Sequence, residues 1–177
     1  MAIDAFLDFQ KSTNVTPQVK GETEDKMFKG CFHVKTFTFA VNQKGTAATG
    51  TGLGAGKAEF DDFEFTIDTQ LGCADLMKHC AIGSHFDKVI LHVRKAGGKQ
   101  FEFLQYVFGM CILSSYSTSG DEESTDTIKF NYRKVFGKYV AQDDKTGEVK
   151  GPGCKGGFDL KENIQWDGDS TEMKTTG

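Results

Sequence analysis

The sequence predicts a mainly β fold in which long antiparallel strands curl into a barrel and a single helix packs against them. Three observations carry the prediction. Between Phe86 and Tyr139 the chain holds three long amphipathic runs in succession, each ended by turn chemistry. Sixteen Phe against one Trp, with 21 Gly and only 2 Pro, is the composition of strands and turns rather than of helices or Pro-rich disorder. Only one stretch, Thr69 to Gly83, carries a convincing helical period.

Taken in order, Ala2 to Phe9 reads as a strand with Ile3, Ala5, Leu7 and Phe9 inward and Asp4 and Asp8 outward. Ser12 to Thr16 is a polar connection, and Val19 to Thr23 suits a short strand entering a turn. Cys31 to Asn42 reads as one strand whose inward parity shifts from Phe32 and Val34 to Phe37, Phe39 and Val41, which a bulge explains. Gly45 to Gly56 is the most biased segment; it resembles a phosphate loop but has Thr51 where the template needs Gly and Ala58 where it needs Ser or Thr. The residues after it alternate through Phe63, Phe65 and Ile67, so this loop opens a strand and not the helix that would hold a phosphate.

In the helix, Cys73, Leu76, Met77 and Cys80 fall on one stripe, with Asp75, Lys78 and His79 expected to project away. Asp68 or Thr69 is the expected start cap and Gly83 the expected end. Phe86 to Arg94 alternates Val89, Leu91 and Val93 against Lys88, His92 and Arg94, and Gly97-Gly98 supplies a hairpin turn. Phe101 to Thr118 switches parity along its length, with Gly109 a natural bend. Ile128, Phe130 and Tyr132 share a face before the pattern jumps to Val135 and Tyr139. Ala141 to Gly153 reads as a polar excursion, Gly157 to Asn163 as a last strand and Asp167 to Gly177 as a frayed tail. Residues 1–165 form one expected domain and 166–177 a flexible C-terminal tail.

A formal charge of -4 without a basic block argues against a nucleic-acid partner, and no apolar run approaches the ~20 residues that spanning a bilayer requires. The N-terminus lacks a basic region and carries Asp4 and Asp8 within its apolar run, unlike a secretory signal. Cys31, Cys73, Cys80, Cys111 and Cys154 show no metal-ligand spacing and are expected to be core thiols in a reducing compartment. His92 alternates outward without an evident carboxylate partner, and Asp61-Asp62 and Asp121 to Glu123 sit in or beside turns. The residues therefore give a β-rich domain with no catalytic constellation, no cofactor and no metal site. A monomeric barrel binding a small apolar ligand suits the many Phe residues and is the alternative reading.

Arg94-Lys95-Ala96-Gly97-Gly98, the run Phe101 to Leu104, and Ser114-Ser115 followed by Ser119-Gly120 together resemble the haemolysin-coregulated proteins, Hcp, of bacterial type VI secretion. Lys20 to Thr23 with Asp25, the Gly-rich loop running into Gly56-Lys57, the helix, and Phe130-Asn131-Tyr132 before Tyr139 match in order across nearly the whole chain. The resemblance implies a β-barrel of two antiparallel sheets with one flanking helix at about residues 69–82. It further implies a non-enzymatic subunit that forms a homo-hexameric ring. Rings stack into an inner tube, shelter small effectors in the lumen, and work with sheath, spike and baseplate proteins. Such a subunit is assembled in the bacterial cytoplasm and exported without a signal peptide. The loop carrying Gly45, Gly50, Gly52, Gly54, Gly56 and Lys57 is expected at the ring-to-ring face. Strands such as Phe86 to Arg94 and Lys129 to Val140 are expected to offer the sheet edges at which neighbours meet.

Overall fold

A computed structural model describes residues 2–43, 57–96, 100–143 and 148–168. Eleven strands and one helix are described, in the order β1 (Ile3–Phe9), β2 (Phe32–Val34), β3 (Thr36–Thr38), β4 (Val41–Asn42), β5 (Glu59–Phe60), β6 (Phe63–Asp68), α1 (Cys73–Ile82), β7 (His85–Lys95), β8 (Glu102–Gly120), β9 (Ser124–Gln142), β10 (Val149–Asp159) and β11 (Ile164–Gln165). The mainly β, barrel-like class with one helix is as the sequence predicts. One large antiparallel sheet runs β11-β10-β9-β8-β7-β1-β2, and β4 pairs β5 in a separate two-stranded ladder.

The curl comes from β9. Its first half pairs β6, Phe63 opposite Phe130, and its second half pairs β10, Val135 opposite Phe158, while β8 runs along its whole length. From β6 the ladder passes to β3, and across Lys35, whose N–H bonds Thr66 O at 2.8 Å, the chain enters β2 and reaches β1. The stretch expected as one bulged strand is therefore three short ones. The parity shift at Lys35 is the corner where the chain leaves β1 for β6.

Inside sits an aromatic core. Phe63 lies against Phe108 at 4.8 Å and Phe130 at 5.0 Å between ring centroids, and these rings are fully buried. The second face of β1, β7 and β8 is also covered, which overturns the outward placement that alternation gives His92 in β7. Val89 to Arg94 are all buried, His92 and Arg94 included. Phe6 is buried on this face, whereas Ile3, expected inward, is exposed. Segment 23–31 covers one half of the face through Phe28, and Trp166 covers the other against Ile90, Val107 and Phe136. Both strands expected to offer edges are interior: β7 lies between β1 and β8, and β9 between β8 and the pair β6 and β10.

Three further boundaries differ from expectation. The bend in β8 falls on Met110, with φ 54, one residue past Gly109. Of the polar excursion, Ala141 and Gln142 end β9 and Val149 to Gly153 begin β10, with 144–147 outside the described residues, and Val19 to Thr23 forms no strand. Trp166 and Gly168 rest against Phe136, while residues 169–177 lie outside the described residues.

Candidate functional site

Two residues that stand far apart in the sequence meet on the covered face. Arg94 comes from β7 and is buried; its Nη2 lies 2.6 Å from Asp25 Oδ2, and Nε and Nη2 each lie 3.3 Å from Asp4 Oδ2. Its guanidinium is stacked over Phe6 at 4.8 Å and Phe28 at 5.6 Å, and Nη1 donates to Gln100 Oε1 at 3.1 Å. Asp25 Oδ1 accepts the backbone N–H of Met27 at 2.9 Å and of Phe28 at 3.3 Å, so one carboxylate both shapes segment 23–31 and ties it to the sheet. Burial pushes the Asp25 carboxyl up, but Arg94 and the two amides outweigh it and leave its pKa below the ordinary value. Arg94 thus works as a staple: a planar fork holding two carboxylates while its faces stack on rings.

Beside it lies a buried pair that the sequence pattern misses. His92 Nδ1 is 2.6 Å from Glu102 Oε1, which also accepts from Gln105 Nε2 at 3.0 Å, and all three side chains are buried. Alternation alone points His92 to solvent. Its partner is found only through the register shift between Val93 and Arg94, which leaves Arg94 opposite Glu102. The one sequence signal available is apolar Phe6 and Ile90 on the supposedly wet face. His92 Nε2 has no partner among the described residues.

The remaining motif residues lie elsewhere. Lys95 N–H donates to Phe101 O at 3.3 Å and Ala96 N–H to Ala2 O at 3.1 Å, closing the β7 end; Gly97 and Gly98 lie outside the described residues. Ser114 and Ser115 sit at a register shift of β8 against β9, a bulge, where Ser114 Oγ donates to Asp62 Oδ2 at 2.5 Å. Asn131 Nδ2 donates to Asp62 Oδ1 at 3.0 Å and Tyr132 Oη to Asp61 O at 3.0 Å, so the Asp61-Asp62 turn ties β8 and β9 together while the Asp61 side chain stays exposed. Burial, then the charges of Asp62 and Asp61, push the Tyr132 phenol well up. Of the Gly-rich loop only Lys57 is described, and it is exposed; Gly45, Gly50, Gly52, Gly54 and Gly56 lie outside.

Four of the five thiols behave as core. Cys31, Cys73 and Cys111 are buried and Cys80 partly so, but Cys154 is exposed, contrary to expectation. Burial, with Asp126 adding to it, pushes the Cys73 thiol up to about 11, which keeps it protonated and unreactive. No cluster of His, Cys, Asp or Glu suited to a metal occurs among the described residues.

The two ends of the barrel are unlike. At one, α1 buries Cys73 and Leu76 in the main core and packs on β8, where Cys80 Sγ points at Leu113 O. At the other the interior opens as a mouth of about 420 Å³ lined by Phe39, Phe60, Leu104, Tyr106, Tyr139 and Phe158. Phe60 and Phe158 stack at 5.6 Å across it, and Cys154 lies in its wall.

This architecture and these motifs have counterparts. A family model described as the type VI secretion system effector Hcp matches residues 6–139. Protein hcp1 of Pseudomonas aeruginosa is 31% identical over 169 residues, covering 93% of this chain and 99% of the relative. A solved structure of a type six secretion system protein superposes with a TM-score of 0.83 at 28% identity, covering 93% of this chain and all of that one. Hcp1 from Salmonella typhimurium gives a TM-score of 0.71 at 27% identity, over 94% of this chain. The staple between Asp25 and Arg94 joins two of the stretches by which the sequence resembles this family, and the chain belongs to the Hcp family, the secreted tube proteins of type VI secretion.

Proposed function

We propose that the chain assembles as a homo-hexameric ring, that its rings stack into the inner tube, and that it acts by mechanical transport rather than catalysis. The likeness at a TM-score of 0.83 over almost the full length of both chains carries the reading, because a ring geometry depends on the whole subunit surface and not on one motif. Small effectors ride in the lumen, and the sheath, spike and baseplate are the partners of the assembled tube. The subunit is made and assembled in the bacterial cytoplasm before export. The loop from Gly45 to Lys57 serves the ring-to-ring face.

Because β7 and β9 are interior, neighbours in the ring meet on faces of the subunit and not on the edges of those two strands. The apolar mouth supports a second reading, a monomeric barrel holding a small apolar ligand. Light scattering on the purified 19.5 kDa chain separates the two. A mass near six protomers is expected; a single-protomer mass at every concentration, with a small molecule retained in native mass spectra, overturns the ring.

A further inference from the structure

We propose that the outer face of α1, centred on Leu71 and Met77, docks into the open barrel mouth of a second copy of this chain. The proposal rests on the homo-oligomer reading above and names a contact for it. The inner face of the helix takes Cys73, Leu76 and His79, with His79 held by Ser84 Oγ at 2.8 Å and Pro17 O at 3.2 Å. That rotation turns Met77 out. At about 100° per residue the outer arc then holds Met77, Ala81, Ala74 and Ile82 with Leu71 just before it, Lys78 among them as the one cation and Asp75 at the rim. Leu71 is 67% exposed, Met77 54% and Ile82 64%, so the arc is a largely apolar face that none of the described residues covers.

The mouth is the matching hollow. Its walls are aromatic, and at about 420 Å³ it takes more than one side chain. Charge distinguishes a second copy from a neutral small molecule. Lys138 and Lys155 stand directly opposite one another on β9 and β10 where they border the mouth, and neither has an ion-pair partner among the described residues. Like charges in that position repel. Around Leu71 carboxylates outnumber cations: Glu22 accepts the Leu71 N–H at 3.3 Å, Asp75 lies in the first turn of α1, and Asp121 and Glu122 lie in the turn before Ser124, which bonds Thr69, against Lys20 and Lys78. A docked copy therefore brings carboxylates to unpaired lysines while burying both apolar surfaces. The face and the mouth lie at opposite ends of β9, Thr69 bonding Asp126 at one and Tyr139 bordering the mouth at the other, so one molecule cannot satisfy itself. An unlike pair of surfaces on one chain makes a head-to-tail contact.

Cys154 in the mouth wall is a native reporter. The variants L71C and M77C are oxidised mildly with oxidised glutathione, and a disulfide requires Cα atoms within ~7 Å. Linked species of two or more chains are expected on non-reducing gels for at least one variant, whether the series stops at six or runs on. They should vanish when Cys154→Ser is added. Absence of linked species in both variants overturns the contact, as does a small apolar molecule occupying the mouth of the wild type with no linkage. Light scattering on the reduced wild type keeps the two ideas apart. A six-protomer mass without linkage sinks this contact and leaves the ring. A single-protomer mass sinks the ring, and linkage then decides the contact alone. The double variant L71D/M77D, altered only at exposed positions, should keep its circular dichroism and lose self-association at least tenfold.

Discussion

Arg94 shows how one side chain organises a surface that simple alternation leaves wet. It is buried against two carboxylates and two rings, so removing the charge strands Asp4 and Asp25 without their cation. Arg94→Met keeps most of the stem's packing and should still cost about 3 kcal/mol at pH 7, the scale for breaking a buried pair from one side. The pH dependence has a definite sign. A carboxyl with a lowered folded pKa stabilises fully above its unfolded value of 3.8, and that stability is lost as pH falls through the lower folded value. The gap between wild type and R94M in urea titrations should therefore be widest near neutrality and narrow below pH 4. A gap that does not change with pH would mean that lost stacking on Phe6 and Phe28, not the ion pair, carries the cost.

At the scale of an element, α1 shows both what periodicity reveals and what it hides. Its existence, its inward Cys73 and Leu76, and its end at Gly83, φ 66, are all legible from a 3.6-residue period and one glycine. Its start and its rotation are not. The helix begins after Gly72, whose φ of 92 and lack of a side-chain cap no propensity scale anticipates, instead of at Asp68 or Thr69. His79 points inward because Pro17 and Ser84 bring it hydrogen-bond partners, and those arise only in the fold. The same limit explains β7: periodicity reports which residues are apolar, while burial of His92 and Arg94 depends on Glu102, Asp25 and Phe28 arriving from elsewhere. Gly72 also gives a sharp test. A methyl there would lie 2.2 Å from Lys20 O and 2.8 Å from the Phe32 ring, at a φ that L-residues avoid. Gly72→Ala should cost about 2–4 kcal/mol from backbone strain and overpacking together, read as a drop in Tm. A change below about 0.5 kcal/mol, the size of an ordinary surface substitution, would show that the helix start slides to a new cap.

For the whole molecule the problem is a free flank of the large sheet among the described residues, the outer side of its long strand β10. Beyond β11, which covers only Phe158 and Asp159, the outer side of β10 has no strand beside it among the described residues. An exposed ladder of this kind recruits other chains indiscriminately, whereas a tube subunit must join its copies in one geometry. The chain handles the flank with a bulge. From Lys150 opposite Ala141 to Cys154 opposite Tyr139, β10 advances four residues while β9 moves two, so two residues are extra. Gly151 and Gly153, at φ 75 and 69, make the kink, Pro152 removes a donor, and Lys150 and Lys155 place charge on either side. Deleting Gly151 and Pro152 removes that excess, sets Gly153 opposite Val140 and straightens the flank. The shortened chain should keep its far-ultraviolet circular dichroism but form species heavier than the wild-type assembly, increasing with concentration in light scattering. An unchanged mass distribution would show that the bulge shapes the mouth beneath it rather than guarding the edge.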